Sequence, residues 1–326
     1  MNKALPFHIP TICGYGQFSI ALGILDCYPS PETKIWFAES FIQLFASTKT
    51  YSLRFDIEYN DNQFMNCPFF DHYIIPISFF NNTQTDIVHF IRDMINNSYY
   101  VGFLCDRFYF PFCKREYKQR HSCHFSLVIG YNDDTSTFTL VDYFNQKYSI
   151  MDVSYSCILA AFHSEYCNSD QPYEDSILCV RFCKERLLPQ PYNPYMLRFL
   201  CKEYLKGVTD EKNNIWRGIS VNDALIEFVK NKTIKNASVQ SIHDHKLALL
   251  RRLHILQELH LAHIEKEDYA YFEDLVRRSL VLRNSLIKYS YLYMSNLEAD
   301  PSTLYSNILS YKQIDFDAMN RFYSLI

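Results

Sequence analysis

Arg120-His-Ser-Cys-His-Phe-Ser-Leu-Val-Ile-Gly-Tyr-Asn-Asp-Asp-Thr-Ser-Thr-Phe-Thr-Leu-Val-Asp142 decides how this chain folds. It reads as two short strands, Phe125 to Gly130 and Thr137 to Val141, joined by a polar hairpin. His124 opens the first strand and Asp142 closes the second. Neighbouring antiparallel strands lie about 4.7–4.9 Å apart, so an imidazole and a carboxylate can face each other across them. The stretch lacks a nucleophile. Upstream, Cys13 stands immediately before the apolar helical pattern Gly16 to Leu25, and the three residues together suggest cysteine-dependent acyl chemistry.

Outward from this hairpin, the first half alternates helical and extended patterns. Helices are expected over Gly16 to Leu25, Glu32 to Ala46, Thr85 to Asn96 and Ser154 to Ser164. Strands are expected over Ser52 to Tyr59, Tyr73 to Phe80, Tyr99 to Cys105, Gln146 to Met151 and Ile177 to Phe182. The sum is an α+β domain with a mainly antiparallel sheet. Three prolines within Leu188-Pro-Gln-Pro-Tyr-Asn-Pro194 deny continuous helix or central strand and mark a boundary. This gives a catalytic domain over 1–188 and a helical domain over 195–326 that completes or covers the site. In the second, Tyr195 to Leu205, a helix opened by a Ser220–Asp223 capping box, His245 to Glu265, Asp268 to Asn296 and a short Asp315 to Leu325 all read as helical. Their apolar stripes also admit a homodimer.

Length and composition narrow the class. The 326 residues suffice for two domains. A net charge of -4 and no basic tail argue against nucleic acid as the main partner. No run of about 18 uncharged apolar residues suggests a membrane span. The amino-terminal segment lacks a secretory pattern, so a cytoplasmic location is expected, with the 11 cysteines held as thiols. Only seven glycines, and no glycine-rich phosphate loop, count against nucleotide cofactors. The 26 Tyr and 26 Phe read mainly as core.

A cysteine becomes a useful nucleophile when its thiolate is favoured, as at a helix amino end beside an imidazolium. Gly14 and Gly16 let the backbone approach an acyl group closely, and nearby backbone N–H groups suit an oxyanion. His124 would then move the proton and Asp142 would orient the ring. His121, Cys123 and His124, with Cys105 or Cys113, form an imaginable zinc set. Extended backbone would turn His121 and His124 to opposite faces, so no metal is expected. Arg115, Lys118 and Arg120 read as solvated loop charges before a contact for a phosphate or an acidic partner.

Three segments, Ile12-Cys-Gly-Tyr-Gly-Gln-Phe-Ser-Ile-Ala21, Val101-Gly-Phe-Leu-Cys-Asp-Arg-Phe-Tyr-Phe-Pro111 and His121-Ser-Cys-His-Phe-Ser-Leu-Val-Ile-Gly-Tyr131, carry a resemblance. They look like the amino-terminal domain of the butirosin biosynthesis protein H family, over about residues 8 to 185. The resemblance implies a papain-like cysteine fold that moves an acyl group from a carrier-protein thioester to an amine in specialised metabolite biosynthesis, including that of antibiotics. It places the nucleophile on Cys13, the base on His124 and the orienting carboxylate on Asp142. Asp106 and Tyr109 match the aspartate and aromatic residue after the preceding strand, and His121 matches an additional histidine. Gly14 and Gln17 fall in the oxyanion region.

The implied partners are an acyl carrier protein and a small amine. No cofactor of the chain's own is implied; the donor acyl group would ride on a phosphopantetheine thiol. The same residues leave open a thioesterase, a peptidase or amidase, and a papain-like domain that binds a partner without catalysis. No glutamine precedes Cys13 in residues 1–12, which favours transfer over peptide hydrolysis.

Overall fold

The computed structural model describes residues 2–14, 16–55, 67–145, 147–167, 175–189, 191–295, 297 and 300–326, without the side chains of residues 16 and 17. In chain order the elements begin with β1 (Asn2–Ala4), α1 (Gly16–Leu25), α2 (Pro31–Glu39), β2 (Leu44–Ser47), β3 (Ser52–Phe55), β4 (Phe70–Pro76), α3 (Ile77–Thr83) and α4 (Ile87–Asn96). Next come β5 (Tyr100–Asp106), β6 (Cys123–Asn132), β7 (Thr137–Phe144), β8 (Lys147–Ser154), α5 (Tyr155–Phe162), β9 (Ser176–Phe182) and α6 (Pro194–Lys206). The last are β10 (Val208–Asp210), β11 (Ile215–Arg217), α7 (Val221–Lys230), α8 (Asn236–Glu258), α9 (Lys266–Met294) and α10 (Ser302–Leu325). The architecture is α+β, with two antiparallel sheets followed by a carboxyl-terminal helical region.

Two compact units emerge, each discontinuous in sequence. The first comprises Met1–Tyr28 and Cys67–Leu187, the second Pro29–Asn66 and Leu188–Ile326. In the first unit the strands run β4-β9-β5-β6-β7-β8, and β1 also pairs with β6. β5 reads Tyr-Val-Gly-Phe-Leu-Cys-Asp and is buried nearly throughout, as expected of a strand flanked on both sides. Gly102 is required there, because a Cβ would lie 2.4 Å from the Phe125 ring. α4 is held at its start by Asp86, whose carboxylate accepts the Val88 N–H, and buries Ile87, Ile91 and Ile95 as one stripe.

The second unit has its own sheet, β10-β11-β2-β3. The helix expected over Glu32 to Ala46 therefore ends at Glu39. Phe41 takes a left-handed backbone (φ 60), and Leu44–Ser47 instead pairs with β3 and β11. Ser30 and Thr33 close a reciprocal capping box at the start of α2, with Pro31 in the first turn. The region past residue 195 is not wholly helical: β10 and β11 form a hairpin that completes this sheet.

Other boundaries also move. The strand expected over Tyr73 to Phe80 becomes β4 followed by α3. Part of Ser52 to Tyr59 falls outside the described residues, as does Gln146. Ser220 makes no capping bond, and Asp223 pairs instead with Lys312 at 2.8 Å. The final helix is 24 residues long, not a short one.

Two cations buried in the second unit are closely partnered. Arg252 is fully buried and donates to the carbonyls of Ala38, at 2.6 Å, and Ser40. Lys246, also fully buried, sits 2.5 Å from Asp315 and 2.8 Å from His245 Nδ1. Such groups are tolerated in a core only when their hydrogen-bonding capacity is met.

Candidate functional site

The first unit brings His124 and Asp142 together as the hairpin pattern suggested. β6 and β7 pair antiparallel, and the His124 Nδ1 to Asp142 Oδ1 separation is 2.7 Å. At 2.7 Å this is a close contact that favours the ionised carboxyl. Asp142 is committed elsewhere. Its Oδ2 accepts from Arg107 Nη2 at 2.8 Å and from Ser126 Oγ at 2.8 Å, while Oδ1 accepts the Tyr143 N–H at 2.5 Å. Burial would raise its pKa, but the contacts to His124 and Arg107 outweigh this and hold the carboxyl below its usual range. The His124 side chain remains 42% exposed, so one edge of the ring faces outward.

A second carboxylate–imidazole pair lies at the junction of β5 and β6. Asp106 is fully buried. Its Oδ2 accepts from His121 Nδ1 at 2.6 Å and from Ser164 Oγ at 2.6 Å. Oδ1 accepts the Phe108 and Ser122 N–H groups at 3.1 and 3.2 Å. Burial opposes ionisation of Asp106, yet these four donors together hold its pKa down. His121 is stacked between Phe108 (ring centroids 4.2 Å) and Tyr166 (3.6 Å), and Tyr109 meets it edge-on at 6.4 Å. The two imidazoles thus serve different carboxylates.

Cys13 lies half-buried just ahead of α1, outside any disulfide. It and Asp142 both act on the Tyr148 phenol: burial first, then Asp142 and Cys13, push that hydroxyl's pKa upward. The Tyr148 hydroxyl is buried and has no hydrogen-bond partner among the described residues. Gly14 is buried, and the Gln17 side chain lies outside the described residues. Arg107, Ser126, Ser164, Tyr166 and Cys167 were not singled out in the sequence. Ser126 carried a usable signal, because residues two apart on a strand share a face with His124.

Cysteine-dependent acyl transfer, expected from the sequence, is overturned at this point of the fold. Cys123, whose sulfur adjoins His124 in the chain, is closed in a disulfide with Cys167 at a Cα separation of 5.4 Å. With Asp106 these sulfurs form a candidate metal-binding triad, all ligand atoms within 4.8 Å of one another, rather than a free thiol for acyl chemistry. The assignment as a cysteine-nucleophile enzyme and the description of a catalytic triad fall with it. So does the expectation that every cysteine is a thiol.

No helix among the described residues is long and apolar enough to cross a membrane. No known protein family matches the chain, and a search of curated proteins finds no match.

Proposed function

We propose that this chain is a papain-like binding protein without acyl-transfer activity, and that its first unit engages an acidic protein surface. The observation that carries this reading is the state of Asp142. A carboxylate that is to stabilise an imidazolium should direct its charge and a linear hydrogen bond at the ring. Here Arg107 already neutralises it, and Ser126 and the Tyr143 N–H occupy further lone pairs, so its charge is shared among several donors besides His124. Such a network fixes side chains for recognition and leaves little drive for proton transfer.

Charge and exposure support the partner's class. The turn between Cys113 and Arg120 exposes Lys114, Arg115, Lys118 and Arg120. It is tied to the His121 stack, because the Lys118 N–H donates to the Phe108 carbonyl. Tyr166, 64% exposed, stacks on His121 and gives the same stack an exposed aromatic group. A cluster of exposed cations favours an acidic partner and speeds its encounter, and an exposed aromatic ring can anchor it.

The test is twofold. Incubation with acyl thioesters should leave the intact mass unchanged, and a labelled glutamate-rich peptide should bind at low salt. Arg115→Glu with Lys118→Glu should weaken that binding at least about tenfold, by removing two attractive charges and adding two repulsive ones. An acyl adduct on Cys13 that is passed on to an amine, and lost in Cys13→Ala, would defeat the proposal.

A further inference from the structure

The Cys123–Cys167 bridge adjoins a buried carboxylate. Asp106 and Cys123 are direct cross-strand partners on β5 and β6, and Cys167 reaches them from the single turn Glu165–Cys167 that follows α5. A carboxylate oxygen and both sulfurs lie within 4.8 Å of one another. A disulfide has no need of a charged neighbour, whereas a pair of thiolates with a carboxylate is a donor set suited to Zn²⁺. Asp106 also has the outer support that metal-ligating carboxylates have, from His121 Nδ1 and Ser164 Oγ at 2.6 Å each, while the longer bonds that Oδ1 accepts from the Phe108 and Ser122 N–H groups, at 3.1 and 3.2 Å, are the ones a metal would have to displace.

We propose that this cluster is a reduction-gated zinc site: closed as a disulfide, and binding Zn²⁺ through Cys123, Cys167 and Asp106 once opened. The inference is independent of the acidic-partner reading. Opening consumes two equivalents of a small thiol of the glutathione class. The first thiolate attacks one sulfur, breaking the S–S bond and forming a mixed disulfide; the second releases the oxidised small-thiol dimer. The protein gains two thiols and the small thiol is oxidised. Zn²⁺ then displaces two protons from the sulfurs, and Asp106 contributes its existing charge. Cys123 is only half-buried, which gives the attacking thiol a route, while Cys167 and Asp106 are buried. His121 and Ser164 position Asp106 and are not themselves ligands in this scheme.

Oxidised and phosphine-reduced full-length protein would be dialysed against Zn²⁺ and bound metal measured by elemental analysis. The reduced form should retain about one zinc per chain and the oxidised form none. Reduced Cys167→Ser and Asp106→Asn should each bind at least about tenfold more weakly, since each removes one ligand. Cobalt in place of zinc should give a thiolate charge-transfer band that Cys167→Ser diminishes. Because Asp106→Asn could unfold the strand junction, Cys123→Ser and circular dichroism of every form accompany it. Reduced wild-type protein that stays zinc-free, folded or not, overturns the proposal. So does zinc uptake that Cys123→Ser and Cys167→Ser leave unchanged.

Discussion

Arg107 donates from Nη2 to Asp142 Oδ2 at 2.8 Å, with the guanidinium side chain 13% and the carboxylate 1% exposed. The ion pair engages one carboxylate oxygen, while the other faces His124 Nδ1 at 2.7 Å. It makes Asp142 a structural anchor of the hairpin, joining the turn after β5 to the end of β7.

Removing the guanidinium should therefore be costly. Arg107→Met leaves a buried carboxylate without its main cation, and breaking one side of a buried pair typically costs about 3–5 kcal/mol. Urea unfolding at neutral pH is expected to show a loss of that order, and Asp142→Asn in the same background should recover part of it. A loss below about 1 kcal/mol, the scale of a surface pair, would mean that the pair does not anchor the hairpin. The pH sign is fixed by the lowered pKa of Asp142. Its stabilisation is present above the unfolded carboxylate value, about 3.9, and is lost as pH falls through the lower folded value. The Arg107→Met protein should lose part of this acid sensitivity.

The bridge between Cys123 and Cys167 should contribute measurably. It spans 44 residues of sequence, and loop-closure entropy for that length amounts to about 4 kcal/mol. Reduction in the absence of zinc is expected to lower the urea midpoint accordingly, and Cys123→Ser should reproduce the shift without reductant. If reductant destabilises Cys123→Ser as much as wild type, the effect does not come from this bridge.

Much of the first unit was legible because its signals are local. The polar hairpin, the isoleucine stripe of α4 and the run that forms β5 each read correctly from spacing alone. What escaped depends on long-range pairing. Leu44–Ser47 continues a helical apolar pattern, yet its strand state is set by β3 and by β11, which lies roughly 170 residues further along the chain. The site shows the same division. The facing of His124 and Asp142 follows from strand alternation, but Cys167 lies 44 residues beyond Cys123. Nothing in one sequence distinguishes that cysteine from the other buried ones. Arg107 lies within the Val101–Pro111 segment, but its partner is fixed only by how the turn after β5 folds back.

The buried network of the second unit yields a prediction that no single deletion could make. Lys246 is fully buried, with Asp315 at 2.5 Å, and Asp315 also accepts from Tyr204 and Asn222. Burial pulls the lysine's pKa down even against its attraction to Asp315. Lys246→Met should destabilise by about 3–5 kcal/mol, whereas Lys246→Met with Asp315→Leu should cost far less or even stabilise, because neither charge is then left desolvated. Chemical denaturation of both single variants and the double variant checks this as a cycle. A double variant as unstable as the sum of the singles would show that the pair is not energetically coupled.

His245 adds a pH dependence of opposite origin to that of Asp142. It is fully buried, with Nε2 2.8 Å from the Ile42 carbonyl and Nδ1 2.8 Å from the Lys246 ammonium. Nε2 therefore carries the ring proton and donates to the carbonyl, while Nδ1 accepts from the ammonium. Burial, followed by repulsion from Lys246, holds its pKa well below the usual histidine value. Below about pH 6.5 the unfolded chain takes up a proton that the folded imidazole refuses, so stability is full above that pH and falls beneath it. The slope from this residue is about 1.4 kcal/mol per pH unit until the folded value is reached. Unfolding free energies measured from pH 7.5 to 5 should follow that decline. His245→Gln, less stable at every pH because it disturbs both contacts, should show a slope shallower by about that amount. An unchanged slope would place the acid-linked proton uptake on another group.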